Sequence, residues 1–244
     1  MKHICVAYFN KSSGNCIQTI EEHIKVGVNF LEEIYLKKGL DKYLVRLAGF
    51  LGLSICREQA QRAFYASYIF HDLGKLFLNY QKKQRSFRGH EVISAYWLCI
   101  HGEEFGLGEL LYPVIYAVYL HHHDIRKREV PKMMDVILCD KCLKLLINTY
   151  REKTCINLMV YKNSEIKLEG DIYNRLNNKF NQFMNTNDKF NYFRLSYPLL
   201  QAIHGADNYS AASRGGKQTL FSVEIEKVYR SIKDLRERFK NIIK

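Results

Sequence analysis

An apolar stretch, Leu110 to Leu120 (LLYPVIYAVYL), runs without a charge other than its flanks into His121-His122-His123. With nine histidines in 244 residues, a run of three has a chance expectation of about 0.01. The pairs His71-Asp72 and His123-Asp124 prove little alone; the triplet is the surprising feature. Three imidazoles after a buried helix are costly unless something coordinates or hydrogen-bonds them.

Similar groups recur elsewhere in the chain. AFYASYIF leads into His71-Asp72-Leu73-Gly74-Lys75, and a carboxylate at the inner end of an apolar helix needs a cation nearby. His90 opens the amphipathic RGHEVISAYWL, with Gly89 marking the loop-to-helix entry. His23 lies on a helix after Thr19, and Asp207 sits among small and apolar residues in IHGADNYSAAS. Imidazoles and carboxylates arriving on five separate helices are how a helical bundle builds a metal site in its core.

The rest of the pattern fits an all-α chain with only three prolines. Thr19 to Glu22 reads as a capping box, opening a helix with Ile20, Ile24, Val28, Leu31 and Ile34 on one face and ending at Gly39. Further helices are predicted near 42–54, 58–79, 90–104, 109–122, 133–150, 194–213 and 222–242. Residues 151–192 are the weakest region, where INLMVY and EIKLEG leave room for a small β-hairpin near 155–170. With no repeat and no clear linker, residues 1–244 read as one domain.

Lysine and arginine outnumber aspartate and glutamate by 37 to 25, a net charge of +12 that favours an anionic partner. A membrane is not that partner, because the longest apolar run falls far short of the ~20 residues a spanning helix needs. The N-terminal residues carry no signal-peptide pattern. Seven cysteines form an odd set without the spacing of a disulfide framework, as in a reducing cytoplasm. A soluble cytoplasmic protein is the expectation. Cys139-Asp140-Lys141-Cys142 lacks the two further ligands a structural zinc would require, so two half-buried helix cysteines account for it better.

In this order, His23, His71-Asp72-x-Gly-Lys75, His90, His122-His123 and Asp207 resemble the HD-domain metal-dependent phosphohydrolase superfamily. The match spans about residues 3–213, and the extra histidines resemble its two-metal versions. Within it the chain looks most like the HD nuclease of type I CRISPR–Cas systems, the nuclease half of the signature helicase–nuclease. The resemblance implies an HD-domain helical bundle with Asp72 bridging two metals. His23, His71 and Asp207 would complete one, and His90, His122 and His123 the other; the triplet leaves His121-His122 open as the pair. His204, one turn before Asp207, could replace a ligand. Two divalent cations about 3.5–4 Å apart can hold a hydroxide and clamp a phosphate. Mixed imidazole and carboxylate donors suit Mn, Ni, Fe or Co, with Mg in a more oxygen-rich half. Asp72 and Lys75 are the catalytic candidates, Lys75 neutralising a phosphate oxygen.

The implied activity is endonucleolytic and 3′-to-5′ exonucleolytic cutting of single-stranded DNA, with RNA left open, in CRISPR interference. No P-loop occurs, since Gly215-Gly216-Lys217-Gln218 lacks its first glycine and its hydroxyl. The helicase would therefore be a separate subunit of the effector complex. Basic clusters flank the proposed ligands: Lys82, Lys83, Arg85 and Arg88 before His90, and Arg126, Lys127 and Arg128 after the triplet. Such runs are usually solvated faces, but beside a metal site they could track a phosphate backbone, with Ser210 bonding to it. Tyr80, Phe87 and Tyr209 could stack on bases, though packing explains each as well. Two other readings stand beside the nuclease. One is a nucleotide or cyclic-nucleotide phosphohydrolase, although the Gly-Tyr-Pro motif of signalling phosphodiesterases is absent. The other is an inactive nucleic-acid-binding subunit with a structural metal.

Overall fold

Thr19 opens the first helix as its sequence predicts. Its hydroxyl accepts from the Glu22 N–H at 3.2 Å, and the Glu22 carboxylate accepts from the Thr19 N–H at 2.9 Å. The computed structural model describes residues 5–10, 12–83, 87–122, 136–158, 165–166 and 189–214, together with 223–224, 227 and 230. Before Thr19, strands β1 (Val6–Phe9) and β2 (Cys16–Thr19) form an antiparallel hairpin. The Asn10 side chain holds its turn by accepting from the N–H groups of Ser12 and Ser13 at 2.9 and 3.2 Å.

Helix α1 (Ile20–Phe30) passes into a π-helical turn, Leu31–Leu36. Gly39, at φ 88°, then caps α2 (Leu40–Phe50), so the first helix stops at the glycine where the sequence predicts its end. Helix α3 (Arg57–Phe70) lies at the centre, packed against α1, α2 and the helices at Leu111–Leu120, Asp140–Thr154 and Lys189–Ser213. The 3-10 turn Leu73–Leu76 and the short α4 (Leu78–Lys83) follow, then α5 (His90–His101) and α6 (Leu111–Leu120). Strand β3 (Val136–Ile137) precedes α7 (Asp140–Thr154), and β4 (Glu165–Ile166) precedes α8 (Lys189–Ser213). The last of these, 25 residues long, packs along both α1 and α6.

Two helices depart from their predicted bounds for physical reasons. The helix expected over 58–79 breaks after Phe70, because the apolar run is continuous and hides the tight turn at His71-Asp72. The helix expected over 133–150 starts at Asp140, since Val136–Ile137 pairs antiparallel with Glu165–Ile166. The predicted hairpin near 155–170 thus finds its partner strand before α7 rather than beside it. A disulfide joins Cys5 to Cys142, 137 residues apart, a pairing that no local spacing could signal. The predicted helix over 222–242 falls almost entirely outside the described residues.

Aromatic packing fixes the centre. The rings of Phe70 and Trp97 stack at 5.4 Å, and Phe105 and Tyr150 meet Phe70 edge-on at 4.9 and 5.8 Å. At the far end of α3, buried Asp41 accepts from Arg57 Nε at 2.6 Å, Gln61 Nε2 at 2.7 Å and the Lys42 N–H at 2.9 Å. Burial pushes this carboxyl upward, but those hydrogen bonds outweigh it and hold it below the usual range. A depressed folded value means stability that is present above the unfolded pKa and lost as acid protonates the group. Asp41→Asn is therefore expected to lower stability by about 1–3 kcal/mol at neutral pH. It should also flatten the acid limb below about pH 4, read from urea midpoints across pH. An unchanged acid limb would show that the ionised form of Asp41 has no such role.

Candidate metal centre

The first donors come from the turn that ends α3. His71 terminates the helix, and the 3-10 turn after Asp72 carries Gly74 against the start of α5. The Gly74 N–H donates to Ser94 Oγ at 2.8 Å, and a Cβ on Gly74 would overlap the His90 carbonyl. Only a glycine allows the His71-Asp72 turn to lie directly on the residue that begins α5. Gly89, in the left-handed region at φ 77°, turns the chain into that helix.

The two Asp72 oxygens face different groups. Oδ2 lies 3.3 Å from His23 Nε2 and 3.4 Å from His71 Nε2, while Asp207 Oδ1 lies 3.5 and 3.9 Å from the same two nitrogens. Oδ1 lies 2.9 Å from His90 Nε2 and 3.8 Å from His121 Nε2. His122 Nε2 is in turn 3.1 Å from His90 Nε2. Two donor sets result, His23/His71/Asp72/Asp207 and Asp72/His90/His121/His122, each with its ligand atoms within 4.8 Å of one another. Asp72 belongs to both.

The imidazoles of His23, His71, His90 and His121 are held from behind. The Nδ1 atoms of His71, His90 and His121 bond the carbonyl three residues earlier, on Tyr68, Phe87 and Val118, at 2.5, 2.6 and 2.6 Å. Nδ1 must be the protonated nitrogen to donate there, which leaves the Nε2 lone pair facing the carboxylates. His23 Nδ1 pairs instead with Ser210 Oγ at 2.8 Å. The Nε2 atoms of His23, His71 and His121 are buried without a hydrogen-bond partner. Buried nitrogens converging on carboxylates in this way fit divalent cations, which would satisfy all three.

The charge states of His121, His122, His23 and Asp72 agree with that fit. Burial, with His122, His71 and His90 nearby, pushes His121 far below the ordinary imidazole range. Loss of water and the neighbouring His90 lower His122 to about 3. Burial lowers His23 as well. All three are thus neutral near pH 7, the form that ligates. Burial opposes the charge on Asp72, but His71, Lys75, His23 and His90 outweigh it and hold it ionised. His71 is raised despite burial, because Asp72 and Asp207 both favour its charged form.

Most of the expected site residues converge. His23, His71, Asp72, His90, His122 and Asp207 all line the cluster. His121 joins them as the other member of the pair, and His123 lies outside the described residues, as do Arg85, Arg126, Lys127 and Arg128. Lys75 is buried, with Nζ 2.6 Å from Asp72 Oδ2. Ser210 is fully buried behind His23, so it positions a ligand and cannot take the expected bond to a substrate backbone. His204 Nε2 bonds the His121 carbonyl at 2.8 Å and lies outside both donor sets. Lys82, Lys83 and Arg88 are exposed, the two lysines before and the arginine just after Phe87, whose carbonyl orients His90. Tyr80 and Phe87 pack edge-on at 6.0 Å, and Tyr209 stacks on Phe30 at 4.6 Å, so packing accounts for the three aromatics.

Tyr8 and Gln81 carried no signal in the sequence. The Tyr8 hydroxyl donates to Asp207 Oδ1 at 3.0 Å, and its ring lies 4.1 Å from Lys75 Nζ and 3.3 Å from the Arg214 guanidinium carbon. Gln81 holds β1 in place by bonding both the N–H and the carbonyl of Val6 at 2.9 Å, while its amide also donates to the Lys75 carbonyl at 2.7 Å. These contacts join segments far apart in the chain, beyond the reach of any local pattern. Tyr8→Phe keeps the ring and removes the bond to Asp207. It is expected to weaken metal affinity at the His23/His71/Asp207 set by about 10–100-fold, measured by chelator competition. Unchanged affinity would confine Tyr8 to packing.

Comparison with known proteins bears on the same elements. A model of the HD domain family matches residues 20–146, a span holding every donor except Asp207. No curated protein matches the chain. Among solved structures, the CRISPR-associated Cas3 HD domain protein from Methanocaldococcus jannaschii is similar, with 19% identity and a TM-score of 0.53. The likeness covers 82% of this chain and 98% of that one, and it speaks to the fold.

Proposed function

The chain belongs to the HD domain family, a family of metal-dependent hydrolases, and on that premise we propose that it cuts phosphodiester bonds in single-stranded DNA. The observation that carries this reading is the shared carboxylate: Asp72 presents one oxygen to each of two imidazole sets, in which the buried Nε2 atoms of His23, His71 and His121 have no hydrogen-bond partner. When bound there, two divalent cations would supply the charge that acidifies an attacking water and offsets the leaving oxygen.

The chain's own groups supply the rest. Backbone carbonyls and Ser210 aim the imidazoles, so the donor atoms are set before any substrate arrives. Lys75 holds the Asp72 oxygen that faces His23 and His71. The cluster is closed at His23 and His71 and opens toward solvent at His122 and Asp207, the latter 21% exposed. Arg214, one of whose buried guanidinium nitrogens lacks a hydrogen-bond partner, lies over Tyr8 beside Asp207 and suits a backbone phosphate. Lys82, Lys83 and Arg88 extend positive charge from the His90 side.

A strand reaches such a recessed centre more readily than a duplex, which favours single-stranded substrate. The similar protein from M. jannaschii is named as CRISPR-associated. By that likeness this chain would act in CRISPR interference alongside a helicase, with both end- and internal cutting. Mn, Fe or Ni suits the imidazole-rich sets better than Mg.

The test is end-labelled single-stranded DNA incubated with metal-stripped protein and added Mn, Ni or Mg, across a salt series. Metal-dependent cutting that weakens as salt rises is the expected result. Hydrolysis of mononucleotides without any cutting of DNA would move the assignment to a nucleotide phosphohydrolase. Metal-loaded, folded protein that hydrolyses neither would leave a binding subunit with a structural metal.

A further inference from the structure

A second group of soft ligands lies outside the histidine cluster. Cys5, at the base of β1, is joined to Cys142 in the first turn of α7, and the Cys139 sulfur lies 2.7 Å from that of Cys142. All three sulfurs lie within 4.8 Å of one another. Cys139 and Cys142 are buried, 8% and 1% exposed, whereas Cys5 is partly open. The third ligand that the Cys139-x-x-Cys142 spacing lacked in sequence arrives from 137 residues away.

We propose that Cys5, Cys139 and Cys142, once reduced, form a thiolate site for one zinc-class cation, distinct from the histidine centre. A disulfide employs two sulfurs and leaves Cys139 as a buried third with no part in it; a thiophilic cation employs all three. Cys139 caps α7 and Cys142 lies three residues on, so both face the positive end of that helix, which favours thiolates. Three thiolates with solvent access beside Cys5 leave a fourth, open position for tetrahedral zinc.

Loading balances in two stages. A dithiol reductant gives two electrons and two protons to the Cys5–Cys142 bond and becomes a cyclic disulfide. The three thiols then release three protons to solvent as their thiolates bind the divalent ion. The site's place gives it a consequence. The Cys5 carbonyl accepts from the Ile20 N–H at 2.7 Å, and the Cys139 N–H donates to the Leu76 carbonyl at 2.9 Å. A cation there would tie the N-terminal strand to α7 and to the turn that follows Asp72, holding Tyr8 on Asp207. This assignment is independent of what the histidine centre hydrolyses.

Cobalt(II) is the probe, because thiolate ligands give it an intense near-ultraviolet charge-transfer band that imidazole and carboxylate do not. Protein reduced with dithiol, stripped of metal and shown folded by circular dichroism would be titrated with cobalt and then zinc. Wild type and Asp72→Ala are both expected to show the band at one molar equivalent, bleached by zinc. Cys139→Ser/Cys142→Ser is expected to lose the band and one equivalent of metal while retaining metal at the histidine centre. Cys139→Ser alone, which leaves Cys5 and Cys142 able to pair, provides a second variant should the double one unfold. A band surviving in the cysteine variants would overturn the proposal. So would no band in folded wild type whose seven cysteines all titrate as thiols, or a Cys5–Cys142 bond that resists the reductant.

Discussion

Asp72→Ala is expected to empty both donor sets together and to lower hydrolysis by at least about 1,000-fold. Among the described residues Asp72 alone contributes to both, and its two oxygens face different sets. Inductively coupled plasma measurement of bound metal, run beside the cleavage assay, checks both effects on one sample. The substitution also strands Lys75, whose side chain is 5% exposed and whose ammonium loses a partner 2.6 Å away. Removing one member of a buried ion pair costs about 3–5 kcal/mol, so inactivity alone would not separate chemistry from folding. Asp72→Ala/Lys75→Met removes both charges and is expected to recover most of that stability without activity. A stable double variant that still binds two metals would refute the bridging role.

The second large effect falls on a residue with no functional group. Gly74→Ala is expected to cost about 3 kcal/mol, at the upper end for forcing an atom into a packed site. The added Cβ meets backbone, the His90 carbonyl, and no side-chain rotation can relieve that contact. For a chain of this size the melting temperature should fall by roughly 6–12 °C. Because His90 begins the helix that would be displaced, metal affinity at its set should fall as well. Ser94→Ala removes the hydrogen bond to Gly74 without adding an atom, so a loss of only about 1 kcal/mol is expected. Equal melting temperatures for the two variants would show that crowding does not hold the turn in place.

The helices were legible wherever a local pattern recorded them. Thr19 and Glu22 announce α1 through four adjacent residues, and the constellation of His23, His71-Asp72, His90 and Asp207 named elements that do meet. What could not be read required knowing which way a side chain points. The triplet admits two pairs, and the choice depends on where α6 ends: His121 Nδ1 reaches back to the Val118 carbonyl and so turns its other nitrogen inward. Ser210 reads as a surface hydroxyl until α8 buries it behind His23. Tyr8 and Cys5 serve groups 199 and 137 residues away. The break after Phe70 stayed hidden because hydrophobic periodicity registers burial, and the residues on both sides of the break are buried.

Helix α8 spaces its polar residues so that three successive turns each serve a different part of the centre. His204 bonds the end of α6, Asp207 faces His23 and His71, and Ser210 fixes the His23 ring. The other ligand-bearing elements precede it in the chain, and chains leave the ribosome N-terminus first. A nascent chain can therefore gather His71, Asp72 and His90 early, yet it lacks a carboxylate opposite Asp72 until α8 has emerged and docked. Metal capture is thereby coupled to the emergence of α8: a product truncated or stalled before that helix would carry an incomplete centre.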